Sequence, residues 1–250
     1  MKALILAAGY ATRLYPYTRN FPKPLLEVDG RPIIQYLVDK IDALRGVSEI
    51  VVVTNARFVR NFRAWAAAQR TRAKIRILND GTQNARQRLG ATGDMHFAFR
   101  RAGFNHDYLV LGGDNFFEEP LIGFVRQARK NAPEITIGIS DIRTKSQARS
   151  YGVVRSNAEG VVTDFWEKPS RPRTSTVAMC LYYFPKPSVR LIEEYLAQGK
   201  DRADASGTYI RWLAENQTVF GFTFKNYWVD IGHIQTYRKV QQLKKGEQKR

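Results

Sequence analysis

The chain has 250 residues, a single cysteine and a formal net charge of +17, from 40 Lys and Arg against 23 Asp and Glu. That length suits one α/β domain with a sizeable core, and no apolar run nears the roughly 20 residues a membrane span needs. Cys180 alone excludes an internal disulfide framework and a cysteine-built zinc cluster.

Ala3 to Ala8 is a short apolar run of the kind that forms a buried parallel strand. It starts at once, without a basic leader or a cleavage site, so a cytoplasmic location is expected. The stretch Leu6-Ala7-Ala8-Gly9-Tyr10-Ala11-Thr12-Arg13-Leu14-Tyr15-Pro16 follows, closed by Phe21-Pro22-Lys23-Pro24-Leu25-Leu26. A turn of small residues after a strand exposes backbone N–H groups that phosphate oxygens can approach. Arg13 adds a rigid fork of donors and Lys23 a mobile point charge, a pair suited to a polyphosphate. The loop reads as a nucleotide grip.

Asp29-Gly30-Arg31-Pro32 reads as a turn, Ile33 to Leu44 as a helix and Ile50 to Thr54 as a strand, with Asn55 capping a helix from Val59 to Arg70. Lys74 to Leu78 is a third strand, and Asn79-Asp80-Gly81-Thr82 lies at its end, where open α/β sheets collect ligand contacts. Leu89 to Asp94 opens a helix toward Ala102. Asp107 to Leu111 is a fourth strand, running into Gly112-Gly113-Asp114-Asn115. A carboxylate just past the carboxyl end of a central strand can reach a divalent cation that bridges phosphate oxygens. Capping of the next helix is the plainer role for Asp114, but that helix begins later, near Glu119-Pro120.

Glu134 to Ile139 is a further strand, and then the pattern turns β-rich at Ser150 to Arg155, Gly160 to Trp166 and Val177 to Phe184. Helices at Ser188 to Leu196 and Thr208 to Ala214, a strand at Val219 to Phe224, the segment Tyr227 to Gly232 and a helix at Ile234 to Leu243 complete the order. His233 reads as a helix-start or packing residue rather than a ligand. Strands alternating with helices predict an α/β fold: a Rossmann-like three-layer α/β/α arrangement on a mostly parallel sheet. One domain is expected over residues 1–243, with 244–250 as a mobile, basic polar tail. The remaining positive charge is spread along the chain without a recognisable nucleic-acid module, so solvated helix faces are preferred over nucleic-acid binding.

The string from Leu6 to Pro16 with Pro22-Lys23-Pro24-Leu25 resembles the signature of the sugar-1-phosphate nucleotidylyltransferases, the family of the glucose-1-phosphate thymidylyl- and uridylyltransferases. Four more motifs follow in that family's order: the glycine loop at Gly90, Leu111-Gly112-Gly113-Asp114-Asn115, Glu167-Lys168-Pro169, and Trp228-Val229-Asp230-Ile231-Gly232. The resemblance implies transfer of a nucleotidyl group from a nucleoside triphosphate to a sugar 1-phosphate, with pyrophosphate released. It also implies a magnesium ion (Mg2+) on Asp114 and Asp230, and a nucleotide held by Leu6, Ala8, Gly9, Tyr10, Ala11, Thr12 and Arg13, with Gly90 facing the base.

On the same resemblance Arg13, Lys23 and Lys168 are the catalytic residues. Arg13 stabilises the departing pyrophosphate, Lys23 sits near the α-phosphate, and Lys168 holds the attacking phosphate. Gly152 and Glu167 hold the sugar within a β-rich insertion. The family's base-reading Gln has no clear counterpart here, and Asn84 and Gln87 are the nearby candidates. Ala11 and Cys180 stand where the family commonly has glycine; a methyl group at 11 is expected to narrow the approach to the phosphates or to force φ below zero. Those two departures leave room for a phosphorylated alcohol or cyclitol as acceptor, and a non-catalytic nucleotide-sensing subunit is the reading from another class. No hexapeptide repeat follows Gly232, so an appended β-helix domain is not expected. A homo-oligomer is left open.

Overall fold

The computed structural model describes residues 1–199 and 205–247. The first strand, β1 (Lys2–Leu6), is followed by the phosphate-type loop and a short ribbon of β2 (Glu27–Val28) and β3 (Arg31–Pro32). Then come α1 (Ile33–Asp42), β4 (Glu49–Thr54), α2 (Val59–Ala67), β5 (Lys74–Asn79), α3 (Gly90–Ala102) and β6 (Tyr108–Gly112). Four strands pair in parallel in the order β5-β4-β1-β6. β1, β4 and β6 are largely apolar runs while β5 alternates apolar with charged residues, and each strand is joined to the next through a helix, which is how parallel strands are connected.

Alternate residues of β1 face opposite layers. Ala3 and Ile5 pack with Ile34, Leu37 and Ile41 of α1 and Phe62 of α2, whereas Leu4 packs with Met95, Ala98 and Phe99 of α3. Both faces of the sheet are therefore covered, as its continuous apolar strands require. The three-layer expectation is met.

Beyond β6 the chain forms β7 (Asn115–Phe117), α4 (Ile122–Asn131), β8 (Ile135–Asp141), α5 (Lys145–Ala148), β9 (Gly152–Ser156), β10 (Val162–Glu167) and β11 (Thr176–Phe184). After a 3-10 turn come α6 (Leu191–Ala197), α7 (Ser206–Asn216), β12 (Val219–Phe224), β13 (Trp228–Asp230) and α8 (Ile234–Glu247). The antiparallel character enters through β11, which runs against β6, β8 and β9 and carries the β-rich part of the sequence into the main sheet. Its register shifts between Ala178 and Tyr182, and Cys180 in that bulge has φ +51°.

Two local expectations change. Asn55 does not cap α2: its Oδ1 accepts from the Phe58 amide at 3.1 Å while its Nδ2 donates to the Ala8 carbonyl at 2.9 Å, so it ties the phosphate-type loop to the turn before the helix. The last helix runs on through residue 247 and takes in four residues of the expected tail, and 248–250 lie outside the described residues.

Candidate active site

The loop after β1 is held from behind. The carbonyls of Leu6, Ala8 and Ala11 accept hydrogen bonds from Gly113 N (2.9 Å), Asn55 Nδ2 (2.9 Å) and Thr18 Oγ1 (2.7 Å) respectively. These bonds fix the loop in place where it lines the adjacent cavity. Ala11 adopts the left-handed conformation, φ +47° and ψ +41°, immediately before the single turn Thr12–Leu14. The expectation that its methyl group forces φ below zero is thus overturned. The loop keeps a backbone shape that glycine would adopt freely, at a steric cost of about 1–2 kcal/mol.

A cavity of about 370 Å³ opens on this loop, lined by Leu6, Ala8, Gly9, Ala11, Arg13 and Lys23 on one side and by Arg88, Gly90, Ala91 and Asp94 on the other. Asp114 and Cys180 lie in its wall as well. A second cavity of about 220 Å³ is lined by Tyr151, Gly152, Glu167, Lys168, Tyr182, Gly207, Trp228 and Asp230, and it shares Asp114 and Cys180 with the first. A third, more polar space of about 330 Å³ contains Tyr10, Thr12, Arg13, Lys23, Asp114, Lys168 and Asp230. The expected nucleotide, acceptor and cation residues therefore surround one connected set of cavities.

Asn84 is the exception. It is exposed, its Oδ1 accepts from the Arg86 amide at 3.0 Å, and it lines none of these spaces. Gln87 is likewise turned back, accepting from the Gln83 amide at 2.9 Å. Tyr10 is buried, with its hydroxyl 3.0 Å from Thr82 Oγ1, so it supports the loop from beneath.

The two acidic motifs are brought together by backbone pairing. β13 runs antiparallel to β7 with Asp230 opposite Asn115, and the Ile231 amide donates to the Asp114 carbonyl at 3.1 Å. Asn115 locks this ribbon further, since its Oδ1 accepts from Trp228 Nε1 at 2.6 Å. Lys23 forms a partly buried ion pair with Asp114. Burial works against charge on both partners, yet each holds the other ionised: Lys23 is kept above its ordinary value and Asp114 below. Asp230 behaves in the opposite way. Burial and then the Asp114 charge push its carboxyl up to about 7.

Asp230 Oδ1 is buried without a hydrogen-bond partner among the described residues. An unsatisfied carboxylate oxygen beside a second carboxylate suits a hard divalent cation, which would take its other oxygens from phosphate and water. Among the described residues no third acidic, His or Cys side chain joins these two as a possible ligand set.

On the acceptor side Glu167 is nearly enclosed, and burial raises its carboxyl against the pull of neighbouring Lys168, whose Nζ is 3.5 Å from Glu167 Oε1. Two glycines make that enclosure. A Cβ at Gly152 would overlap Phe165, and one at Gly207, in the first turn of α7, would overlap the Glu167 carboxylate itself. Lys168 has φ +45°, and its amide donates to the Tyr151 carbonyl at 3.0 Å, which fixes where its side chain leaves the backbone. Cys180 packs against the core and also lines both main cavities, and burial pushes its thiol up to about 12, which keeps it from acting as a nucleophile.

Sequence reasoning missed Gly207, the Asn115–Trp228 lock and the carboxyl pair Asp80–Asp94. Only Asp80 carried a local signal, its place at a strand end.

Comparison with known proteins bears on the fold and the family. The nucleotidyl transferase family profile matches residues 2–246. Among curated relatives, the bifunctional protein GlmU of Methanocaldococcus jannaschii is 26% identical over 93% of this chain and 51% of its own length. GlmU of Methanococcus aeolicus gives the same figures, so the chain spans about half the length of the curated relatives it matches. Among solved structures, a UDP-glucose pyrophosphorylase complexed with UDP-glucose superposes with a TM-score of 0.82 at 20% identity, covering 98% of each chain. A Bacillus anthracis protein assigned as a glucose-1-phosphate thymidylyltransferase and solved with sucrose superposes at 0.79 and 19%, covering 97% of this chain and 94% of that one. At such identities the superpositions speak for the fold. The profile match across nearly the whole chain goes further: this protein belongs to the nucleotidyl transferase family, a family of enzymes.

Proposed function

We propose that this protein joins a nucleoside triphosphate to a sugar 1-phosphate, giving a nucleotide sugar and pyrophosphate, with Mg2+ as cofactor. The observation that carries the reading is the placing of Lys23 and Lys168 around one Asp114–Asp230 centre where a nucleotide-sized cavity meets a smaller one. The acceptor already carries an anionic phosphate oxygen, so the protein need supply neither a nucleophile nor a base. That oxygen bonds to the α-phosphorus as the bond from the α-phosphorus to the bridging oxygen breaks, and the electron pair leaves with pyrophosphate. The difficulty is the repulsion between two polyanions, which positioning and fixed positive charge overcome.

Each residue has a share in that task. The loop amides and Arg13 hold the triphosphate, with Arg13 reaching the departing pyrophosphate. Lys23, kept charged by Asp114, stays near the α-phosphate. Lys168 holds the attacking phosphate, while Glu167 and Gly152 receive the sugar. Asp114 and Asp230 would hold Mg2+, whose charge offsets that of the phosphates when it is bound.

The test is pyrophosphate release and product mass for a panel of triphosphates against sugar 1-phosphates, phosphocholine and inositol phosphate. A nucleotide sugar as the main product is expected. Product only with the alcohol phosphates would replace the sugar in this reading, and no product with any pair would end it.

A further inference from the structure

A further cavity, of about 330 Å³, opens beside the Asp114–Asp230 centre, and no step described so far uses it. It shares Arg13, Ser150, Asp230 and Gly232 with the polar phosphate space, and Ser150, Tyr151 and Asp230 with the acceptor cavity. It therefore borders both reacting halves. Its volume lies at the small end of ligand pockets, which run from roughly 300 to 1,000 Å³.

Two segments build it. α5 ends at Ala148, whose buried side chain joins the core, and the chain turns there with the Ser150 amide on the Gln147 carbonyl (3.3 Å) and the Tyr151 amide on the Ala148 carbonyl (3.0 Å). That turn sets Arg149 and Ser150 on the cavity. The other segment follows β13: the Gly232 amide donates to the Asp230 carbonyl at 2.9 Å, and the His233 carbonyl accepts from the Tyr237 amide at 3.0 Å as α8 begins. Tyr237 is buried and its hydroxyl donates to the Glu27 carbonyl at 2.6 Å, so His233 and Thr236 stand on an anchored helix start.

What these segments bring together is chemically one-sided. Arg13, Arg149 and His233 line the cavity with the hydroxyl-bearing Ser150 and Thr236, and Asp230 is the one acid in its lining among the described residues. None of the three basic side chains makes an ion pair or a side-chain hydrogen bond among the described residues. Two guanidiniums at one small cavity repel each other, and an anion between them replaces that repulsion with two charge-assisted contacts. The hydroxyls add donors for phosphate oxygens. Apart from the Tyr151 ring the lining is polar, so a nucleobase or an acyl chain finds little to pack on.

We infer that Arg149 and His233, together with Arg13, form a phosphate-binding well beside the Asp114–Asp230 centre, a site for a phosphate or pyrophosphate group. As an anion well it stands on the cavity alone, whereas the identity of the group that fills it rests on the transferase reading above. The leaving pyrophosphate and the phosphate of the incoming acceptor share this chemistry, and the cavity borders the space of each.

The experiment titrates inorganic pyrophosphate into the Mg2+-free protein by calorimetry, for the parent, Arg149→Ala, Arg149→Lys, His233→Ala and Arg126→Ala. Arg149 and His233 are exposed, so their replacement leaves the core untouched. Arg149→Ala is expected to weaken binding by about fivefold or more and His233→Ala to weaken it in the same sense, with Arg149→Lys recovering part of the loss as a point charge. Arg126 is exposed on α4 and lines none of these cavities, so Arg126→Ala removes the same charge elsewhere and is expected to stay within about twofold of the parent. Equal pyrophosphate affinity in the parent and Arg149→Ala overturns the proposal, as does a loss in Arg126→Ala as large as that in Arg149→Ala. Turnover of Arg149→Ala then identifies the source. A raised KM for pyrophosphate in the reverse reaction, with the acceptor KM within about threefold of the parent, names the leaving group. A raised acceptor KM with the pyrophosphate KM unchanged names the acceptor phosphate. Absence of turnover with every triphosphate and acceptor sinks the transferase reading instead, and the titration still judges the well.

Discussion

Asp230 lies directly across from Asn115 in the ladder between β13 and β7, and that pairing sets its carboxylate beside Asp114. Register in such a ribbon is all-or-none, because a slip of one residue would turn Asp230 to the other face. The Asn115–Trp228 hydrogen bond is what guards it. Asn115→Ala is therefore expected to lower kcat by about tenfold or more while the triphosphate KM moves little, since it loosens the centre rather than the nucleotide cavity. Steady-state kinetics check this, and equal losses in every parameter would point to simple misfolding.

Asp114→Asn and Asp230→Asn are each expected to reduce pyrophosphate release by about 100-fold or more, with the fold intact by circular dichroism. The two differ in stability. Asp114→Asn leaves Lys23 buried beside a neutral partner, so its melting temperature falls, whereas Asp230→Asn removes a carboxylate that its neighbour already repels. Thermal scans that ranked the two the other way would contradict the charge arrangement described here.

Lys168 is exposed and Glu167 is not, so their neighbours serve different ends. Lys168→Ala is expected to raise the acceptor KM by about tenfold or more while changing stability by no more than about 0.5 kcal/mol. Gly207→Ala drives a methyl group into the Glu167 carboxylate, so it is expected to cost about 1–3 kcal/mol and to weaken the acceptor as well. Urea melts alongside acceptor titrations distinguish them.

Asp94 makes stability depend on pH in an unusual direction. Burial, then the nearby Asp80 charge, raise its carboxyl from the ordinary 3.8 to about 8. Between those values the folded protein binds a proton that the unfolded chain has released, so this group's contribution is full below about pH 4, falls as pH rises and is flat above about 8. Asp94→Asn removes the titration, and its stability relative to the parent is expected to improve steadily from pH 5 to pH 8. Denaturant midpoints that stayed parallel across that range would show that Asp94 does not carry the proton.

Ala11→Gly relieves the left-handed strain in the loop but adds freedom to the unfolded chain, and the balance is expected to favour the variant by up to about 1 kcal/mol. A clear destabilisation measured in the same melts would mean that the methyl group packs usefully.

Much of this could be read from the residues. The parallel strands were visible because both faces of the sheet are covered, which leaves runs such as Ile50 to Thr54 uninterrupted by polar side chains. Arg13, Lys23, Asp114, Glu167, Lys168 and Asp230 announced themselves through motifs. What stayed hidden depends on contacts between distant segments. Gly207 looks like any helix-start glycine until Glu167 is laid against it, and Asp94 looks like a solvated helix residue until Asp80 closes over it. Asn84 misled for the reverse reason: a polar side chain near a predicted loop turned back on its own backbone.

The ribbon that joins β7 to β13 has one more consequence. The two carboxylates are 116 positions apart in translation order, so the second is made long after the first. The loop after β1, Lys23 and Asp114 emerge first, and β13 with Asp230 follows only once the β-rich part of the fold has been made. A nascent or prematurely stopped product lacking β13 would carry Asp114 without its partner carboxylate.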